Sequence, residues 1–177
     1  VSPAAWNPEK LLWMNGHYIR ALDPDDLAAR LLPFLTGAGL DAALDDVRRL
    51  VPLIQERIGT LAEAVDLIDF FWADAVVPDP AALVPPKLAP ADVAVHLRRA
   101  ADVLEAETDW APGALEERLR DLAETLGVKP GPLFQPIRVA VTGKRVAPPL
   151  FDTLSVVGRA TVLERLAAAA AALEAAG

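Results

Sequence analysis

The sequence predicts an all-α chain of two small helical bundles, and three observations predict it. Segment after segment opens on a proline, apolar residues recur at three- and four-residue steps, and no alternating run is bounded by hairpin turns. Asn7-Pro8-Glu9 offers an N-cap, a proline at the first helical position and an acid in the first turn. It starts a helix carrying Leu11, Leu12, Met14 and Tyr18. Asp23-Pro24-Asp25 repeats the start signal, Leu27, Leu31 and Leu35 follow at helical spacing, and Gly37-Ala38-Gly39 closes it. A third helix is expected from Asp41 to Ile58 on Val47, Leu50, Ile54 and Ile58, with Pro52 kinking or splitting it. Thr60 is placed to cap a fourth, from Leu61 to Asp74.

Five prolines lie between residues 76 and 90 (Pro78, Pro80, Pro85, Pro86, Pro90), which makes this segment the expected boundary. Helices are expected beyond it over Pro90–Glu107, Pro112–Leu126, Pro130–Val141, Pro149–Val157 and Arg159–Ala175. Gly127, Gly143 and Gly158 stand where helix-ending glycines belong. The expected organisation is an opening segment over 1–22, a first helical subdomain over 23–84 and a second over 85–177.

With 177 residues, 53% of them hydrophobic, the chain can bury a core. No stretch of ~20 apolar residues is free of charge or proline, so no membrane partner is expected. The start Val1-Ser2-Pro3-Ala4 lacks the pattern of a signal peptide and lacks an initiating methionine, as expected of a piece of a longer protein or of a processed chain. No cysteine is present, which excludes disulfides, thiolate metal sites and cysteine nucleophiles. A cytosolic setting is the simplest expectation. The net charge of −8 weighs against nucleic acid, but its distribution matters more than its sum. Eight acids face two arginines between Asp102 and Glu124, whereas Lys129, Arg138, Lys144, Arg145 and Arg159 face only Asp152 from Gly127 to Arg159. An acidic protein can present a basic face in this way.

Two blocks carry a family resemblance. Pro8-Glu9-Lys10-Leu11-Leu12-Trp13-Met14-Asn15-Gly16-His17-Tyr18-Ile19-Arg20 resembles the segment that follows the catalytic core in bacterial glutamyl-tRNA synthetases. Gln135-Pro136-Ile137-Arg138-Val139-Ala140-Val141-Thr142-Gly143, continuing into Pro148-Pro149-Leu150-Phe151 and Val157-Gly158-Arg159, resembles a second block of that family, in the same order and at a similar separation. The resemblance implies an all-helical anticodon-binding region, preceded by the end of a stem-contact segment, with tRNA for glutamate as partner and a monomeric state. The family's HIGH-like and KMSKS-like signatures and any phosphate-cradling glycine loop are absent. ATP and magnesium therefore belong to a catalytic domain outside this sequence, and the chain by itself should hold no cofactor and be inactive.

By the same resemblance, Arg57, in Gln55-Glu56-Arg57-Ile58-Gly59-Thr60-Leu61, falls where glutamate-specific members carry an arginine that reads the third anticodon base. That base is cytosine in glutamate tRNA and guanine in glutamine tRNA. Cytosine offers acceptors to a guanidinium, while the larger guanine clashes or sets donor against donor. The alternative is an exposed arginine at a helix end. Arg138 and the turn Pro148-Pro149-Leu150 are implied to form a pocket for the first anticodon bases, with Pro148 and Leu150 as an apolar floor and Gln135 and Thr142 as hydrogen-bonding edges. Ala147 stands where many relatives have threonine. Pro148 and Leu150 also suit a helix start and core. Lys144 and Arg145 are phosphate contacts or solvated charges, Arg48 or Arg49 is placed to follow the RNA backbone, and Lys10 to neutralise a phosphate. Asn15-Gly16 reads as a turn or helix end, with the Asn15 side chain available to backbone or RNA.

Trp13, Met14 and Tyr18 are expected in the core because they recur at helical spacing, and Trp72 and Trp110 as buried anchors of the two bundles, the alternative being that they stack on bases. His17 and His96 lack partners at metal-ligand spacing. The rival readings are a helical protein–protein scaffold and a synthetase that also charges glutamine tRNA. A small hydrolase built on Asp66 and Asp69 or on Glu116 and Glu117 lacks any neighbouring base or nucleophile.

Overall fold

The computed structural model describes residues 7–175, which form ten α-helices and one 3-10 turn, with no strand among them. The fold is all-α, as expected. The chain divides into two compact units, Val1–Trp72 and Ala73–Gly177.

The first unit holds α1 (Pro8–Ala21), α2 (Pro24–Gly37), α3 (Leu44–Ile54) and α4 (Glu63–Ile68), followed by the 3-10 turn Asp69–Phe71. The first two helices start as their sequences dictate. The Asn7 side chain accepts from the Lys10 N–H at 3.1 Å and that of Asp23 from the Asp25 N–H at 2.9 Å, each ahead of a first-turn proline. Leu27, Leu31 and Leu35 of α2 are fully buried with Val47, Val51 and Ile54 of α3, the pairing around which this unit forms.

Two expectations here need correction. Pro52 does not split α3: the helix runs through it and stops two residues later, at Ile54 rather than Ile58. A proline forfeits one backbone hydrogen bond, and the buried Val47, Leu50, Val51, Leu53 and Ile54 hold the path of the helix around it. The fourth helix also closes early, at Ile68, and tightens into the 3-10 turn. Thr60 does act at its start. Its hydroxyl accepts from the Glu63 N–H at 3.4 Å and donates to the Glu63 carboxylate at 3.1 Å, which in turn accepts from the Gly59 N–H at 2.8 Å.

A third correction concerns α1. Asn15 and Gly16 form no turn; both lie inside a continuous helix. Trp13, Met14 and Tyr18 are not core. Trp13 is 67% exposed and Tyr18 64%, while Gly16 and Ile19 are the buried residues. Leu11, Met14 and Tyr18 share one side of the helix and are all exposed, so their apolar spacing marks a stripe that this unit leaves uncovered.

The second unit holds α5 (Pro80–Leu83), α6 (Pro90–Glu105), α7 (Pro112–Thr125), α8 (Pro130–Thr142), α9 (Leu150–Val157) and α10 (Arg159–Ala175). α10 lies along α6, α7 packs on α9, and α8 on α10. Leu97, Leu104, Leu119, Ile137, Leu154 and Leu166 meet in one core. The proline-rich segment contains α5, which sequence reading passed over. Asp79 caps it by accepting from the Ala81 N–H at 3.0 Å, and Ala82 and Leu83 pack into the same core against α8. The chain from Ala73 onward thus belongs by packing with the second unit. Trp110 is half-buried against that core and donates its indole N–H to the Leu154 carbonyl at 3.1 Å.

Arg165, 6% exposed, is a further internal tie. It donates to the Val141 carbonyl at 2.8 Å and to the Ala73 carbonyl at 2.9 Å. Burial pushes its pKa below the ordinary arginine value, against the pull of the Glu164 charge.

Candidate nucleic-acid interface

In the first unit the candidate surface is the turn after α3. Residues 55–57 leave the helix, and the Arg57 N–H bonds the Ile54 carbonyl at 2.8 Å. Two side chains fix this turn to α1. The Gln55 amide donates to the carbonyls of Ile19 at 3.1 Å and Leu22 at 2.9 Å, satisfying groups that the end of α1 leaves without intrahelical partners. The Asn15 amide donates to the Gly59 carbonyl at 2.5 Å. The segments lie close: a Cβ on Gly16 would meet the Gly59 Cα at an ordinary contact distance of 3.6 Å, whereas one on Gly59 would stand 2.9 Å from the Leu12 Cδ1 and push that side chain aside.

Between the anchors the exposed side chains of Glu56 and Arg57 border an open groove of about 310 Å³, walled on the α1 side by Glu9, Leu12, Trp13, Gly16 and Arg20. The Trp13 ring stacks on His17, with centroids 6.0 Å apart and planes 15° from parallel. The other arginines of this unit are occupied: Arg48 bonds Asp25 at 2.9 Å and Asp45 at 2.7 Å, Arg30 pairs with Asp26 at 3.1 Å, and Arg49 lies 3.9 Å from Asp46. Hydrogen bonding to Asp45, and then the charge of Asp25, raises the Arg48 pKa. Among the described residues Arg20 and Arg57 have no such partner, and both face one groove.

Of the sequence candidates in this unit, Arg57 lies at the groove. Asn15 is spent on holding the turn, Arg48 and Arg49 already have carboxylate partners, and Lys10 is exposed in the first turn of α1, outside the groove lining. Sequence reading missed Arg20, Gln55 and the placement of Trp13. The available signal was the stripe Glu9, Trp13, Gly16, Arg20 along one face of α1.

In the second unit the candidate surface is the loop between α8 and α9. Gln135, Arg138 and Thr142 share one face of α8, which ends at Gly143 with a left-handed φ of 73°. Arg138 donates to the Pro148 carbonyl at 2.9 Å, bridging the loop from within. The Thr142 hydroxyl donates to the Arg138 carbonyl at 2.7 Å and accepts from the Lys144 N–H at 3.1 Å. Arg145 is exposed and donates to the Ala81 carbonyl at 2.6 Å; Lys144 is half-buried. Ala147 and Pro148 are buried, and Leu150, 4% exposed, is part of the core. Here Leu150 packs as a core residue and gives a base almost no surface. The loop's outward apolar residue is Val146, 77% exposed, which the sequence reading did not single out. Gln135 is half-buried.

Among the described residues no group of three His, Cys, Asp or Glu side chains is placed to hold a metal ion, and no helix is long and apolar enough to cross a membrane. The arrangement offers guanidinium donors and an aromatic face, the groups that recognise unstacked bases.

Comparison with known proteins gives this surface its setting. The anticodon binding domain family matches residues 26–170. The chain is 56% identical to the glutamate–tRNA ligase of Chloroflexus aurantiacus over 98% of its own length and 36% of that protein's. It is 48% identical to the glutamate–tRNA ligase of Roseiflexus castenholzii over 99% of its own length and 36% of that protein's. A solved glutamate tRNA ligase from Elizabethkingia meningosepticum, 18% identical, shares the fold with a TM-score of 0.80 over 96% of this chain and 33% of that one. The chain thus spans about a third of the length of these relatives. With a match that takes in most of its residues, and with an all-helical fold to go with it, the chain belongs to the anticodon binding domain family, in the form carried by glutamate–tRNA ligases.

Proposed function

We propose that this chain reads the anticodon of glutamate tRNA for a glutamate–tRNA ligase, and that it discriminates against glutamine tRNA. The observation that carries the reading is the pair of unpaired arginines, Arg20 and Arg57, on a groove beside the exposed ring of Trp13. An exposed guanidinium with no internal partner keeps its donors for a ligand, and its planar fork suits the acceptor edge of an unstacked cytosine. In the second unit, the bridged loop with Arg145 and Val146 at its surface is suited to receive the remaining anticodon bases and their phosphates. Joining glutamate to the tRNA with ATP and magnesium is assigned to the part of the ligase outside this chain.

The test is a titration of the 177-residue chain with stem-loops carrying the glutamate and glutamine anticodons, at two salt concentrations. Salt-sensitive binding with preference for the glutamate loop is expected. Arg57→Gln should narrow that preference by about tenfold, the scale of one good bidentate base contact. A preference unchanged by the substitution removes Arg57 from its role. Failure to bind either loop at low salt returns the chain to the scaffold reading.

A further inference from the structure

We infer that Glu56 is a second base-reading residue, its carboxylate accepting a hydrogen bond from the exocyclic amino group of the cytosine whose N3 and O2 acceptors Arg57 engages. This rests on the anticodon-reading function proposed above and names the chemistry that its groove selects.

The groove is electrically balanced. Arg20 and Arg57 contribute two positive charges, and Glu9 and Glu56 two negative ones. Phosphate sites draw their affinity from excess positive charge, so a balanced groove suits the neutral edge of a base better than the backbone. None of the four side chains is paired with another in the structure, so donors and acceptors both stand open.

Glu9 has an ordinary reason for its position, as an acid in the first turn of α1, where the helix dipole favours it. Glu56 has none. It stands just past the C-terminal end of α3, where the dipole disfavours a carboxylate, and it has no cation partner among the described residues. Nor is it on a loose segment, because Gln55 anchors the turn on one side and Asn15, through Gly59, on the other. A fixed backbone presents Glu56 and Arg57 as neighbouring acceptor and donor.

Cytosine carries the matching pattern, an amino donor beside the N3 and O2 acceptors, and a carboxylate accepting from that amino group is a recognised pairing. Uracil places a carbonyl oxygen where cytosine has the amino group, so the carboxylate would face an acceptor. Uracil also carries a proton on N3 that faces the Arg57 donors, so both residues reject it, whereas 2-pyrimidinone keeps both acceptors and tests the Glu56 contact alone.

The experiment uses the whole chain and glutamate-anticodon stem-loops whose third base is cytosine, uracil or 2-pyrimidinone, which lacks the amino group. The parent chain should prefer cytosine over both analogues. Glu56→Ala should lower that preference about tenfold, and Glu56→Gln, which keeps an acceptor, should restore most of it. Glu56 is exposed, so neither variant threatens the fold. An equal change for all three loops would mean that Glu56 acts only through its charge and overturns the inference, as would no change at all. If Arg57→Gln still narrows the choice between cytosine and guanine in that case, the anticodon-reading function survives the loss. If the parent chain binds no loop, both fall together.

Discussion

An arginine on an acidic protein is usually claimed by a neighbouring carboxylate before any ligand arrives. Arg30, Arg48 and Arg49 follow that rule in the first unit, and Arg20 and Arg57 depart from it. Sequence spacing offered Arg48 or Arg49 as a contact to the RNA backbone, but it carried no information on Asp25, 23 residues before Arg48, which takes its guanidinium. At this scale Lys87 gives a prediction about stability. It holds a φ of 76° in a turn closed by the Leu88 N–H and the Pro85 carbonyl, a conformation natural to glycine. Relief of backbone strain outweighs the extra freedom that glycine gives the unfolded chain, so Lys87→Gly should stabilise the protein by about 0.5 kcal/mol. Urea denaturation reads the change, and a loss of stability would show that the lysine side chain makes a compensating contact.

Among the elements, α1 and the turn after α3 work as one. The Gln55 amide caps the end of α1, and Asn15 in the middle of α1 holds Gly59. Asn15 is therefore a positioning residue, and Asn15→Ala should cost about 0.5–1.5 kcal/mol through the hydrogen bond it removes. Binding of the cytosine-bearing loop should weaken in parallel, because the turn that presents Arg57 loses one anchor. Thermal denaturation beside the stem-loop titration separates the cases: an asparagine that only touches RNA would leave the melting temperature unmoved. The α8–α9 loop repeats the logic, with Arg138 and Thr142 directing bonds to the loop backbone and leaving Arg145 and Val146 outermost.

For the molecule as a whole, the acid excess includes carboxylates that hold the fold. Glu107 accepts from the N–H groups of Asp109 at 3.0 Å and Thr108 at 2.9 Å and from Arg118 at 3.0 Å. The Asp109 N–H and then Arg118 hold its pKa below the ordinary glutamate value. A depressed carboxylate stabilises the fold fully above the ordinary range, and that contribution fades as pH falls through its lowered value. Denaturation at a series of pH values should therefore show Glu107→Gln less stable than the parent at neutral pH, with the gap closing below about pH 4. A gap independent of pH would mean that the carboxylate charge is not what matters.

The sequence by itself determined all the helices but the short α5, though not where α3 and α4 stop, because caps, first-turn prolines, closing glycines and apolar periodicity act within a few residues of one another. It also carried the two blocks that resemble the family, and with them Arg57. Only the tertiary structure decided which sides of those helices are covered. The apolar spacing of Trp13, Met14 and Tyr18 reads like core, and that of Leu27, Leu31 and Leu35 is core. The difference lies in whether another element packs there. Tertiary packing likewise decided which polar side chains are already spoken for, since Arg48, Arg165 and Asn15 each have a partner 23 to 92 residues away along the chain. Local preference writes the elements, whereas burial and charge pairing depend on neighbours that only folding supplies.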